Sequence, residues 1–182
     1  MPKLHSAICL GFVGFVLFGL ATAVNAQPFT SPPASSSITI SDKKVTVDYY
    51  APSMRGRKIM GGLVPFGEVW CPGANWGTKL TMQSDLELHS AGGSLKLPKG
   101  EYTIWAIPNE KEWTLIVNSE TGQFHLDYKA DRDFGRMKMD LAHLEAPVET
   151  FKIALTEIGP GKGKLAIIWE TTEASVSFDI VP

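Results

Sequence analysis

The chain has few cysteines, with only Cys9 and Cys71 among its 182 residues. Cys9 lies in an apolar stretch near the N-terminus that resembles part of a signal peptide. After removal of such a peptide Cys71 would stand alone, and an internal disulfide bond would be excluded. We therefore expect the stability of the protein to come from packing, and a lone thiol in an oxidising compartment to be buried.

Long apolar runs are also scarce. One run, residues 7–20, follows Lys3 and leads into small residues that include Val24 and Ala26. It is too short to span a bilayer comfortably, since a spanning helix needs about 20 apolar residues. This pattern predicts a signal peptide at residues 1–26, export to the periplasm or exterior, and a mature chain without a transmembrane segment.

Positive charge does not dominate. The chain has 17 Lys and Arg against 19 Asp and Glu, giving a formal net charge of −2. Proteins that bind nucleic acid need a dominant basic face to neutralise phosphates. We therefore expect no nucleic-acid partner.

Helix-length periodic segments are lacking as well, and period-two alternation dominates beyond a Pro- and Ser-rich lead-in at residues 27–37. Short strands separated by turn residues predict an all-β fold, a single antiparallel β-sandwich or jelly-roll-like domain over residues 38–182. Residues 130–144 fit either a helical turn or a strand, and residues 171–173 are interpreted as a turn. The alternating residues are Val45, Val47, Tyr49; Tyr102, Ile104, Ala106; Trp113, Leu115, Val117; Phe151, Ile153, Leu155; Leu165, Ile167, Trp169; and Val176, Phe178, Ile180.

Residues 52–78 interrupt the alternation. A loop of this length is rarely a spacer, because connections usually run about 4 to 6 residues. Its early part carries three cations, Arg55, Arg57 and Lys58, with no acid between residues 49 and 67. Guanidinium groups suit carboxylate, phosphate or sulfate, so these residues are candidate ligands for an anion. The alternative is that they form structural ion pairs with neighbouring strands.

The later part of this loop supplies aromatic and polar candidates. Trp70 and Trp76 flank a turn that contains Asn75, and Thr78 follows. Indole rings beside an amide suit a sugar ring. Trp70 fits a core position equally well, whereas Trp76, next to Gly77, is expected to be exposed. Asn75 and Thr78 are also suited to bonding loop backbone groups.

Catalytic and metal-binding motifs are lacking. His89, His125 and His143 show no paired metal-ligand spacing, so we expect no metal and no cofactor, although a site from scattered histidines is possible after folding. No nucleophile-turn or phosphate-loop motif is found. A carboxylate pair for glycoside hydrolysis drawn from distant strands stays open. The candidate carboxylates are Glu68, Glu149 and Glu170.

A set of residues spread over most of the chain beyond the predicted signal peptide forms a family pattern. These residues are Asp48, Tyr49, Pro52, Gly56, Arg57, Lys58, Ile59, Leu63, Val64, Pro65, Val69, Trp70, Gly73, Ala74, Asn75, Thr78, Leu97, Pro98, Gly100, Tyr102, Ile107, Pro108, Trp113, Asn118, Asp133, Arg136, Glu149 and Trp169. In this pattern the chain resembles a family of exported bacterial proteins catalogued as domain of unknown function 2911. The resemblance implies an exported compact domain and adds no catalytic residue. In that family an Arg often follows the Trp, where this chain has Cys71, so an anion would here depend on Arg55 and Arg57.

From these features we expect a non-catalytic, exported β-sandwich. Its loop at residues 52–78 would bind a small polar, anionic or saccharide-like ligand, or a partner in the cell envelope. One alternative is a hydrolase whose acid and base come from distant strands. Another is a structural envelope module, which would show an exposed apolar patch away from the loop.

Overall fold

The protein, described as a computed structural model over residues 31–181, is built almost entirely of antiparallel strands. The all-β class is therefore confirmed. The predicted signal peptide, residues 1–26, lies outside the described residues. The elements are β1 Pro33–Ile40, β2 Lys43–Tyr50, β3 Thr78–Met82, β4 Asp85–Ser90, β5 Gly93–Leu97, β6 Gly100–Ile107, β7 Trp113–Asn118, a 3-10 helix Ala130–Arg132, β8 Asp133–Gly159 and β9 Lys162–Val181.

Strand β8 links two halves of one sheet, ordered β1-β2-β3-β6-β7-β8-β9-β4-β5. Its residues 133–139 pair with β7, and most of its residues beyond 140 pair with β9, with register shifts between His143 and Lys152. Apolar side chains from both halves meet inside, among them Val45 and Leu115 from one half and Phe178 from the other. The two halves therefore form a sandwich around one main core.

The alternation predicted for β2 is observed, because Val45 and Val47 are buried while Lys44 and Asp48 are exposed. Strands β6 and β7 differ, since they are also covered on their outer face. There Trp105 and Ile116 form a second small core with Cys71, which comes from the 52–78 loop. Loops therefore pack over the outside of this part of the sheet, and they build the pocket described below.

Two boundaries differ from the sequence interpretation. The turn predicted at residues 171–173 is wrong, because β9 runs unbroken through it and Thr172 pairs with His143. Because Thr is favoured in strands, the same residues are compatible with either a turn or a strand. The domain also begins earlier than residue 38, since Pro33 to Ile40 pair along β2. Residues 33–37 of the predicted lead-in thus belong to the sheet.

Candidate functional site

A pocket of about 600 Å³ lies beside the 52–78 loop. Ligand sites typically have volumes of about 300–1,000 Å³ and combine apolar walls with a few polar groups. Most of its lining residues are apolar, and its charged side chains come from two arginines and one glutamate. The lining residues are Ser31, Pro52, Ser53, Arg55, Arg57, Leu63, Val64, Pro65, Glu68, Val69, Trp70, Cys71, Gly73, Ala74, His125, Leu126 and Trp169.

A tight turn presents the two arginines. The Arg57 N–H donates to the Met54 carbonyl at 3.0 Å, and the two central residues, Arg55 and Gly56, have φ values of 51° and 71°. Both angles are left-handed, as in a type I′ turn. Gly adopts this conformation freely, whereas for Arg55 it costs about 1 kcal/mol or more. Such strain persists only where the surroundings enforce it, which makes the turn a candidate functional element.

Glu149 on β8 enforces the turn. Its Oε1 accepts the Arg55 N–H at 2.8 Å, and its carbonyl oxygen accepts the Met54 N–H at 2.9 Å. Next to it, the Phe151 N–H donates to the Pro52 carbonyl at 2.8 Å. The wall of the pocket that carries the arginines is thus fastened to the sheet by backbone and carboxylate hydrogen bonds.

The Arg57 guanidinium is also fixed in place. Its Nε donates to the Met54 carbonyl at 2.9 Å and its Nη2 donates to the Ser53 carbonyl at 2.8 Å. Carbonyl oxygens orient the planar group without cancelling its charge, and a guanidinium has five N–H donors in all. Arg57 therefore brings an oriented positive charge to the pocket.

Glu170 has a similar supporting role further along the loop. Its carboxylate accepts the Ile59 N–H at 3.2 Å and the Met60 N–H at 3.0 Å, and its own φ is 53°. Glu149 and Glu170 both hold loop backbone, and neither lines the pocket. Of the three carboxylates considered for hydrolysis, Glu68 is the one on the pocket wall.

Aromatic side chains form the base of the pocket. The half-buried Trp70 stacks on Trp169, with ring centroids 6.3 Å apart and an interplanar angle of 17°. Trp113 and Phe151 meet Trp70 edge-on at 6.0 and 5.9 Å. The Trp169 Nε1 donates to the Glu149 carbonyl at 3.2 Å, which joins this cluster to the arginine turn.

Four other candidates from the loop lie outside the pocket lining. Thr78 is fully buried and its hydroxyl donates to the Pro72 carbonyl, as in the alternative in which it bonds a loop backbone group. The Asn75 Nδ2 donates to the Ser31 carbonyl at 3.2 Å. Trp76 is 52% exposed and meets Phe124 edge-on, and Lys58 is exposed. The structure thus groups Arg55, Arg57 and Trp70, and separates these four from them.

The segment between β7 and β8 contributes His125 and Leu126, which sequence reasoning did not assign to the site. This segment pairs with the end of the 52–78 loop, because the His125 N–H donates to the Asn75 carbonyl and the Gly77 N–H donates to the Gln123 carbonyl. Neither residue belongs to a motif. Only the pairing of distant loops brings them to the pocket.

A hydrogen-bonded network fixes the base of that segment. Asp133 accepts from the Asn118 Nδ2 at 2.9 Å, from the Tyr128 hydroxyl at 2.6 Å and from the Arg136 Nε at 2.8 Å. Burial and the neighbouring Asp133 carboxylate raise the pKa of Tyr128 to about 12. The tyrosine therefore remains a neutral donor at physiological pH.

Two groups at the pocket have shifted pKa values. Burial lowers the pKa of His125 below its ordinary value of 6.5, which Asp127 partly opposes. Burial also raises the pKa of the Cys71 thiol to about 11, against weaker hydrogen bonds with Thr78. The imidazole is thus mainly neutral at pH 7, and the thiol is protonated and a poor nucleophile.

Within residues 31–181 no group of three or more His, Cys, Asp or Glu side chains is placed to hold a metal ion. In the same residues, no helix is long and apolar enough to cross a membrane.

The fold and the site define an all-β protein with a loop-built pocket on a β-sandwich. The chain matches the family described as Protein of unknown function (DUF2911) over residues 31–178. The protein belongs to this family, which confirms the resemblance noted in the sequence. No curated protein and no solved structure matches the chain.

Proposed function

We propose that the protein is exported and binds a small amphipathic molecule with an anionic group in the pocket beside the 52–78 loop. The observation that carries this proposal is the arginine turn, locked onto β8 and bordering a pocket with an indole base. Arg57, oriented by two carbonyl oxygens, would hold the anionic group together with Arg55. The apolar body of the ligand would contact Trp70 and Leu63.

The lining favours an amphipathic ligand over a saccharide. A sugar ring presents hydroxyl groups that need partners when buried, and most of the side chains around this pocket are apolar. Trp70 and Trp169 also stack on each other, and Trp169 is only 2% exposed. The exposed part of the half-buried Trp70 ring offers an apolar surface with few donors or acceptors, which suits a hydrocarbon or aromatic body.

The test is binding of 8-anilinonaphthalene-1-sulfonate, an aromatic anion, to the purified protein, followed by probe and tryptophan fluorescence. Arg57→Gln is expected to weaken binding by about tenfold to a hundredfold, because a charge-assisted hydrogen bond contributes about 1.5–3 kcal/mol. Arg132→Gln, which removes an exposed arginine outside the pocket, is the matched control. Equal affinity of the two variants and the wild type would refute the proposal.

A second candidate is a hydrolase, favoured by the presence of both His125 and Glu68 in the pocket lining. A neutral imidazole is the form that a general base requires. Turnover of small ester or glycoside substrates that is lost in His125→Gln would support catalysis. Binding of the anionic probe without such turnover would favour the binding protein.

A further inference from the structure

The rim of the pocket exposes apolar side chains to solvent. Leu126 is 72% exposed, Leu63 is 48% exposed and Val69 is exposed as well, and all three line the pocket. Trp76, near the end of the 52–78 loop, forms an exposed edge-to-face pair with Phe124. Phe124 directly precedes His125 and Leu126 in the segment between β7 and β8. Clustered exposed apolar side chains mark a contact surface, whereas single ones need no explanation.

Cations accompany this rim. Arg55, Arg57 and Lys58 are all exposed. Arg55 and Arg57 lie on the turn that forms one pocket wall, and Lys58 directly follows it. Glu68 lines the pocket and the exposed Asp127 follows Leu126 in the chain, so both reduce the net positive charge near the rim. Apolar and indole side chains next to basic ones are typical of surfaces that insert into the interface of a lipid layer.

We propose that the rim, Leu63, Val69 and Leu126, docks on a lipid surface, with the cations of the turn against lipid phosphates. The inference rests on the proposed function and names the source of the ligand, an anionic amphiphile that enters the pocket from the lipid layer. A partner protein bound to this rim would close the pocket to ligands. A lipid surface would cover the rim and would also supply the ligand. This complementarity of apolar side chains and charge favours lipid as the occupant.

The test is co-sedimentation of the purified protein with vesicles of phosphatidylcholine alone and of phosphatidylcholine with phosphatidylglycerol. We expect binding to both, a few-fold stronger with the anionic lipid, because the acids on the rim offset part of the basic charge. The double variant Leu63→Ser with Leu126→Ser is expected to lower the partition coefficient about tenfold or more. Both side chains are exposed, so the fold should tolerate their replacement.

The matched control is Ile158→Ser, since Ile158 is 52% exposed and lies at the end of β8, outside the pocket lining. It is expected to bind vesicles as the wild type does. Vesicle binding that is absent, or that both sets of substitutions lower equally, would overturn the docking proposal. The docking proposal would also be overturned if light scattering showed that the wild type is a stable dimer and that the double variant is not. If the anionic probe still binds the pocket in these cases, the proposed function stands and only the docking fails.

Discussion

The indole rings of Trp70 and Trp169 lie nearly parallel at the base of the pocket, 6.3 Å apart with an interplanar angle of 17°. Trp70 comes from the loop and Trp169 from β9. Their contact, with the edge-on packing of Trp113 and Phe151, joins the loop to the sandwich core. The pocket base is therefore also part of the structure that stabilises the fold.

Trp70→Ala is expected to lower the free energy of unfolding by about 2–4 kcal/mol, because it removes a half-buried indole with three aromatic partners. Trp76→Ala is the control, because that ring is 52% exposed. This substitution should lower the free energy of unfolding by less than about 1 kcal/mol. Urea denaturation followed by circular dichroism measures both. Similar losses in the two variants would contradict the role assigned to Trp70.

Glu170→Ala is expected to loosen the loop, because the carboxylate accepts two backbone N–H groups, those of Ile59 and Met60. The loss of unfolding free energy should be about 2–3 kcal/mol, as for hydrogen bonds to charged groups. Hydrogen exchange at these two amides should quicken. Glu157→Ala, at an exposed position of β8, is the control and should change neither the free energy of unfolding nor the exchange of these amides. Unchanged protection of both amides in Glu170→Ala would contradict this prediction.

The sequence predicts the strands well where one face is buried and the other meets water. In β2 the core contains Val45 and Val47 while Lys44 stays outside, and this periodicity is visible in a short window. Residues 171–173 were misinterpreted because their polar character is compatible with either a turn or a strand. These residues form a strand because they pair with β8. That partner lies about thirty residues away, outside a short sequence window.

The site could be predicted only in part. Arg55, Arg57 and Trp70, which line the pocket, can be singled out because they lie on one aperiodic segment. His125 and Trp169 come from other elements, and nothing in their local sequence marks them. For Thr78 the sequence leaves two roles open, because a buried hydroxyl that closes a loop has the same neighbours in sequence as an exposed one.

Asp133→Asn is expected to destabilise the segment between β7 and β8, because this carboxylate accepts from Asn118, Tyr128 and Arg136. The free energy of unfolding should fall by about 1.5–3 kcal/mol. Asp131→Asn, at an exposed position of the 3-10 helix, is the control. Because Asp133 helps to raise the pKa of Tyr128 to about 12, ultraviolet titration of the variant should show this tyrosine ionising at lower pH. A titration identical to that of the wild type would argue against the network.

His125 should make stability depend on pH. Burial lowers its pKa in the folded protein below 6.5, so the unfolded chain binds more protons as the pH falls. The stabilising contribution of the neutral imidazole is therefore complete above pH 6.5 and is lost as the pH falls through the folded pKa. Between roughly pH 7.5 and pH 5, the wild type should lose more unfolding free energy than His125→Gln. Parallel pH profiles of the two proteins would exclude this linkage.

Protonation of His125 should also strengthen anion binding. It would add a third cation to a pocket that already has Arg55 and Arg57, while Glu68 opposes them. Affinity for 8-anilinonaphthalene-1-sulfonate is thus expected to rise on acidification in the wild type and much less in His125→Gln. A fall in affinity over the same pH range would show that the imidazole does not face the bound anion.

Cys71 should resist thiol reagents while the protein is folded. Burial raises its pKa to about 11, and its side chain packs with Trp105 and Ile116. At about pH 8 only about one such thiol in a thousand is ionised, against about a quarter of unperturbed thiols, so the thiolate population falls about two-hundredfold. Reaction with 5,5′-dithiobis(2-nitrobenzoic acid) should therefore be at least that much slower in the native protein than in guanidinium chloride. Rapid native labelling would instead indicate that the pocket exposes a reactive thiolate, and it would contradict the burial assigned to this cysteine.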